Sequence, residues 1–142
     1  MTVYFDTSAF VKLVLDDEPG AELASALWEE ADVAVSARLL HPEARAAVAS
    51  AHRARRVGAR RLRGLVKQLE KLHADLDVVG LDDALARSAG DLAERHALRG
   101  YDAVHLASAL AIDLPGELVV ATWDRELAAA ALAEGRMVVP AQ

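Results

Sequence analysis

Four acidic side chains stand at the ends of apolar segments, and none of them is adjacent to another in the sequence. They are Asp6 in VYFDTSAFVKL, Glu43 in LLHPEARAAV, Asp102 in LRGYDAVHLASAL and Asp124 in LVVATWDREL. Carboxylates held within a few ångströms repel one another unless a cation neutralises them or some bind a proton. If the fold brings the four together, Mg²⁺ or Mn²⁺ is the natural partner, because hard divalent cations prefer oxygen ligands. Such a site predicts phosphodiester hydrolysis by a metal-activated water.

The hydrophobic pattern predicts the elements that position these acids. Short apolar segments at residues 3–6, 31–36, 76–81, 117–122 and 136–140 are typical of buried strands, and helical patterns separate them. This alternation indicates an α/β fold in three layers, with a central parallel sheet of about five short strands flanked by helices. Asp6 and Asp124 then follow the carboxyl ends of two strands, at the edge where such sheets bind ligands.

The helices have recognisable limits in the sequence. We predict them at residues 9–17, 21–30, 59–74, 82–97, 101–112 and 124–135, with one more from residue 38 to the break at Gly58. Gly100 is expected to end the helix before it, and Pro115 with Gly116 to separate the next helix from the fourth strand. Glu43 and Asp102 are then in the first turns of their helices.

Composition limits the class of protein. A chain of 142 residues suits one hydrophobic core, so we expect a single domain over residues 1–142. The absence of Cys excludes disulfides and Cys-based zinc sites. Charges interrupt every apolar segment well before the roughly 20 residues that a membrane span needs, and no export signal is visible. We therefore expect a cytoplasmic protein without a membrane segment.

A basic segment stands out against an acidic chain. The net charge is -6, yet residues 53–71 contain eight of the sixteen basic residues and one acid, which is +7 locally and leaves -13 elsewhere. Taken alone, such a segment is usually a solvated helix face. It could also hold RNA phosphates beside an acidic pocket, or an acidic segment of a protein partner. The candidate contact residues are Arg53, Arg56, Arg60, Arg63 and Lys67.

Each acid also has a purely structural interpretation. An Asp after a strand commonly caps the next helix by accepting from free backbone N–H groups, which applies to Asp6 and Asp124. Glu43 could be a surface acid favoured by a helix dipole. Asp102 lies in an apolar stretch where a carboxylate needs a partner. His105, three residues later, is expected to be a packed histidine bonded to a neighbour rather than a catalytic group.

Together, DTSAFVKL, the helical Glu43, GYDAVHLASAL and the final TWD resemble the PIN-domain ribonucleases, most closely the VapC toxins of bacterial toxin–antitoxin pairs. The likeness spans essentially the whole chain. It implies a parallel sheet, Mg²⁺ or Mn²⁺ as cofactor, RNA as substrate, a homodimer, and inhibition by a VapB-like antitoxin whose tail packs near the site. It also implies metal ligands and catalytic acids at Asp6, Glu43, Asp102 and Asp124, with supporting hydroxyls from Ser8 and Thr122.

Three other functions are open at this point. A non-catalytic PIN-like module would bind RNA or act as a scaffold, with its acids serving only as caps. A housekeeping PIN nuclease would process RNA without an antitoxin. A receiver-like domain that accepts a phosphoryl group is disfavoured, because the first strand lacks an adjacent acid pair and no Lys is suitably placed after a late strand.

Overall fold

Five short strands form one parallel sheet at the centre of the computed structural model, which describes residues 1–112 and 117–141. Their order across the sheet is β3-β2-β1-β4-β5, and all four pairings are parallel. The predicted fold class is therefore confirmed. The strands are β1 (Thr2–Phe5), β2 (Val33–Ala37), β3 (Asp77–Val79), β4 (Leu118–Ala121) and β5 (Met137–Val139).

Helices cover both faces of the sheet and create two separate hydrophobic clusters. In β1, Val3 and Phe5 face the first cluster and Tyr4 faces the second, because successive side chains alternate across a strand. Helices α1 to α4 pack in the first cluster and α5 to α7 in the second. The helices are α1 (Thr7–Val11), α2 (Ala21–Glu30), α3 (Leu40–Arg53), α4 (Ala59–Ala74), α5 (Asp83–His96), α6 (Gly100–Leu110) and α7 (Arg125–Ala133).

The chain changes direction across the sheet at β1. It runs outward from β1 through β2 to β3, and then returns to form β4 on the other side of β1. Phe5 and Ala121 are register partners at the carboxyl ends of β1 and β4, and the Asp6 N–H donates to the Ala121 carbonyl at 3.2 Å. In parallel sheets such a switch point is where ligands bind.

The first helix is shorter than its predicted range of 9–17. It ends at Val11, and the N–H groups of Lys12, Leu13 and Val14 donate to carbonyls three residues earlier, as in 3₁₀ turns. The side chains of residues 13–15 are all buried, which a regular surface helix does not allow for three consecutive residues.

The prediction that Gly100 ends α5 is wrong. Ala97 ends this helix in a left-handed conformation with φ of 53°, and the Leu98 N–H donates to the Ala93 carbonyl at 3.0 Å. This is a Schellman arrangement, with the buried Leu98 as its apolar contact. Gly100 is instead the first residue of α6. The predicted break at residues 115–116 lies outside the described residues.

In the two described ranges, we find no helix with both the length and the apolar character needed to cross a lipid bilayer.

Candidate active site

Asp6 is the most enclosed of the four acids. It follows β1 directly, caps α1, and is 4% exposed. Its Oδ1 accepts hydrogen bonds from the Ala9 N–H at 2.9 Å and the Ser8 hydroxyl at 2.7 Å, while Oδ2 accepts from the Thr122 hydroxyl at 2.5 Å. Burial nevertheless raises the pKa of Asp6 above its ordinary value. The hydrogen bonds to Asp6 therefore offset the cost of burying its ionised form only in part.

Ser8 and Thr122 connect the start of α1 to the end of β4. The Ser8 hydroxyl accepts from the Trp123 N–H at 2.9 Å, and the Thr122 hydroxyl accepts from the Asp124 N–H at 3.0 Å. Both hydroxyls donate to Asp6 at the same time. The two residues predicted to supply hydroxyls thus contact the central carboxylate and also hold the segment that carries Asp124.

Glu43 lies in the first turn of α3, with 28% of its side chain exposed. Its Oε1 accepts from the Thr7 hydroxyl at 2.8 Å and bonds His105 Nε2 at 2.7 Å. Burial alone would raise the pKa of Glu43, but the hydrogen bonds from His105 and Thr7 outweigh it and lower the pKa. Glu43 is therefore held as an anion, and both described contacts are made to Oε1.

His105 is a packed histidine, as the sequence indicated, but the sequence did not reveal its neighbours. The ring is 2% exposed, with Nε2 against Glu43 and Nδ1 at 2.7 Å from the Tyr4 hydroxyl. Thr7 also approaches Nε2, at 3.2 Å. Tyr4, Thr7 and His105 were therefore missed as members of the site. The available signal was that His105 follows Asp102 by three residues, which places both on one face of α6.

Asp102 and Asp124 form a second pair of acids. Asp102 is 5% exposed in the first turn of α6, and Asp124 caps α7 through the Leu127 N–H at 2.9 Å. Burial raises the pKa of Asp102, and the charge of Asp124 raises it further. Arg99 donates from Nε to Asp102 Oδ2 at 3.3 Å, which partly offsets the repulsion. Arg99 therefore stabilises the ionised form of Asp102, and the like charge of Asp124 disfavours it.

The four acids thus meet at one edge of the sheet as linked pairs. Thr122 joins Asp6 to the Asp124 backbone, and Thr7, the first residue of the helix that Asp6 caps, donates a hydrogen bond to Glu43. Within residues 1–112 and 117–141, however, no three His, Asp or Glu side chains are arranged so that they could hold a metal ion. The ligand roles assigned to the acids stay a prediction.

The donor chemistry nevertheless suits a hard cation. Hydrogen bonds from the described part of the chain reach Glu43 Oε1, Asp102 Oδ2 and Asp124 Oδ1, and none is seen to the second oxygen of these groups. Mg²⁺ commonly takes one or two carboxylates and keeps several waters, so it does not require a closed protein cage.

The basic segment lies on the outer side of α3 and α4, and its Arg and Lys side chains are exposed. Arg56 pairs with Glu18 at 3.5 Å and Arg61 with Asp16 at 3.7 Å. Spacings of three and four residues place four further cations along one face of α4, and none has an ion pair with a described residue. We call these four the basic stripe: Arg60, Arg63, Lys67 and Lys71.

One end of the basic stripe lies nearer to Glu43 than the other end does. Glu70, near the end of α4, bonds His41 at 2.6 Å and Arg45 at 3.2 Å near the start of α3. Since Glu43 lies between these two partners in sequence, the Lys71 end of the stripe is the end nearer to Glu43.

Comparison with known proteins identifies the family of this chain. The model of the PIN domain family matches residues 3–133. Ribonuclease VapC45 and Ribonuclease VapC49, from two strains of Mycobacterium tuberculosis, are each 52% identical over 140 residues, covering 99% of this chain and 96% of the relative.

Solved structures share the fold at lower identity. PAE2754 from Pyrobaculum aerophilum has a TM-score of 0.68 and 22% identity, covering 98% of this chain and 90% of that one. M. tuberculosis VapC20, described as a sarcin–ricin loop cleaving toxin, has a TM-score of 0.68 and 19% identity, covering 90% and 94%. A toxin–antitoxin complex from Klebsiella pneumoniae has a TM-score of 0.62 and 16% identity, covering 86% of each chain. The chain belongs to the PIN-domain family and, within it, to the VapC ribonucleases.

Proposed function

We propose that this protein is an endoribonuclease that requires Mg²⁺ or Mn²⁺ and acts as the toxin of a pair with a VapB-like antitoxin. The observation that carries the proposal is Asp6, a buried carboxylate with a raised pKa at the switch point of the sheet. A buried charge of this kind needs a counter-charge. The pair of Asp102 and Asp124 concentrates more negative charge at the same edge of the sheet.

The proposed roles follow from the contacts of each residue. Asp6, Glu43, Asp102 and Asp124 would hold the cation, with Ser8 and Thr122 fixing the orientation of Asp6. A bound divalent cation would acidify a water and stabilise negative charge on the phosphate. The uncontacted oxygens of Glu43, Asp102 and Asp124 are the ones available for this purpose.

Metal dependence is the first test. The purified protein is expected to cut RNA internally with Mg²⁺ or Mn²⁺, to stop when EDTA is added, and to recover when excess Mn²⁺ is restored. Gel analysis of end-labelled RNA gives the readout. The non-catalytic alternative has some support, because Asp6 and Asp124 do cap their helices. Metal-independent RNA binding without any cleavage would favour that alternative.

An antitoxin is proposed by analogy with the K. pneumoniae toxin–antitoxin complex, which shares this fold. A homodimer is proposed on the same family resemblance. Co-purification with the product of a small neighbouring gene, together with loss of cleavage in the complex, would distinguish a toxin from a housekeeping nuclease.

The basic stripe is proposed to contact RNA phosphates. Reversing two of its charges, in Arg63→Glu with Lys67→Glu, is expected to raise KM about 10-fold at low salt and leave kcat unchanged. The plot of log affinity against log salt concentration should become less steep, its slope decreasing in magnitude by about 2, because two phosphate contacts are lost. Arg87→Glu, an exposed site on α5 across the sheet, is the matched control. Unchanged RNA affinity with weakened antitoxin binding would assign the stripe to the protein partner instead.

A further inference from the structure

A chain of hydrogen bonds runs from the interior of the sheet to Glu43. Tyr4 is completely buried in β1, and its hydroxyl lies 2.7 Å from Nδ1 of His105. The other ring nitrogen, Nε2, lies 2.7 Å from Glu43 Oε1. The chain therefore connects three separate elements, β1, α6 and α3.

The chemistry of these groups determines which atom donates and which accepts in each of the two hydrogen bonds. An ionised carboxylate can only accept, so Nε2 of His105 must carry the hydrogen that it donates to Glu43. In a neutral imidazole the other nitrogen is then an acceptor, and the Tyr4 hydroxyl is the donor that satisfies it. Tyr4 and Glu43 thus favour the same tautomer of His105 from opposite sides of the ring.

We infer that His105 and Tyr4 are positioning residues, which hold Glu43 by Oε1 and leave Oε2 as the oxygen that serves the reaction. The inference rests on the proposed function, since it concerns the orientation of a proposed ligand. Thr7 donates to the same Oε1, so both described contacts fix the same half of the carboxylate. Without them the Glu43 side chain, which is 28% exposed, would be free to sample other rotamers.

Kinetics on three variants tests the inference. His105→Leu keeps an apolar side chain in the buried space but removes the donor, and kcat is expected to fall about 10- to 100-fold with little change in KM. His105→Gln can place an amide donor near the position of Nε2, so it should recover part of kcat. Tyr4→Phe removes only the hydroxyl and should give an intermediate loss.

A matched control is available where the end of α5 contacts the end of α7. His96 bonds Glu134 at 2.9 Å, so His96→Leu also removes a histidine–glutamate contact, but one that has no described hydrogen bond to the four acids. This variant should retain kcat. If a folded His105→Leu variant keeps full kcat, the inference is overturned, whereas a wild-type protein that cuts no RNA would overturn the proposed function.

Nitrogen NMR of the metal-free protein gives a readout that does not depend on cleavage. The ¹⁵N shifts of the imidazole should show a hydrogen on Nε2 of His105, and Tyr4→Phe should shift the Nδ1 resonance of His105 while leaving His96 unchanged. An Nε2 that carries no hydrogen in the wild-type protein would contradict the inference directly, because it could not donate to Glu43.

Discussion

Replacement of Asp6 by Asn is expected to abolish RNA cleavage and, at the same time, to stabilise the folded protein. The amide has nearly the same shape and keeps an oxygen for the Ala9 N–H, so the α1 cap is retained. It removes the charge that we propose neutralises the cation. Loss of roughly 4 kcal/mol of stabilisation of the transition state corresponds to a fall in kcat of about 10³-fold.

The gain in stability follows from the raised pKa of Asp6. Burial raises this pKa, so the folded state binds the proton more tightly than the unfolded state does. The contribution of Asp6 to stability is therefore greatest when Asp6 is protonated, and it falls as the pH rises through the raised pKa. Asn cannot ionise, so its advantage should be largest at neutral pH and should vanish below about pH 4, the ordinary range for Asp.

Thermal unfolding measured with and without Mn²⁺ checks this prediction. Metal should raise the Tm of the wild-type protein and not that of Asp6→Asn, since only the former has the charge to bind it. Asp82→Asn is the control, because Asp82 also caps a helix but has no described hydrogen bond to the four acids or their partners. An Asp6→Asn variant that retains metal-dependent cleavage, or that melts below wild type at pH 7, would contradict the prediction.

The second large effect is expected at Asp124 and distinguishes a ligand from a cap. Asp124 and Asp82 make nearly identical capping bonds, to the Leu127 N–H at 2.9 Å and the Leu85 N–H at 2.8 Å. Asn caps a helix about as well as Asp, so both Asn variants should lose less than about 0.5 kcal/mol of stability. Cleavage should fall about 100-fold in Asp124→Asn alone, because Asp124, unlike Asp82, is joined to Asp6 through the Thr122 hydroxyl.

The two Asn variants are informative even if they behave alike. Equal and full cleavage by both proteins, each with wild-type Tm, would show that Asp124 is only a cap. The proposed set would then reduce to Asp6, Glu43 and Asp102. Single-turnover cleavage measured at saturating Mn²⁺ and again at limiting Mn²⁺ would show whether a loss lies in metal binding or in the chemical step.

Features that depend on local pattern could be predicted from the sequence. Short apolar strands between helical segments were enough to predict the parallel sheet and the location of Asp6 just after β1. One exception was residues 12–17, which were predicted as helix but lie beyond the end of α1, because Leu13, Val14 and Leu15 are all buried in the core. Tertiary packing overrides local preference in such segments.

Features that depend on long-range contacts could not be predicted in this way. Tyr4 and His105 are separated by 101 positions, and neither has a neighbour in sequence that indicates the other. The hydrogen bond between Glu70 and His41 joins two helices and determines which end of the basic stripe lies nearer to Glu43. A single sequence shows which side chains are present but not which oxygen of a carboxylate is already occupied.

The bond between Asp6 and Thr122 spans 116 positions and requires β4 to pair beside β1. During synthesis the ribosome releases Asp6 early and Thr122 late, so the central carboxylate stays without its hydroxyl partner for most of translation. A chain truncated before residue 118 lacks the strand that brings the two together. Such a chain cannot form the bond between Asp6 and Thr122, so only a chain that extends through β4 completes the contacts of the central carboxylate.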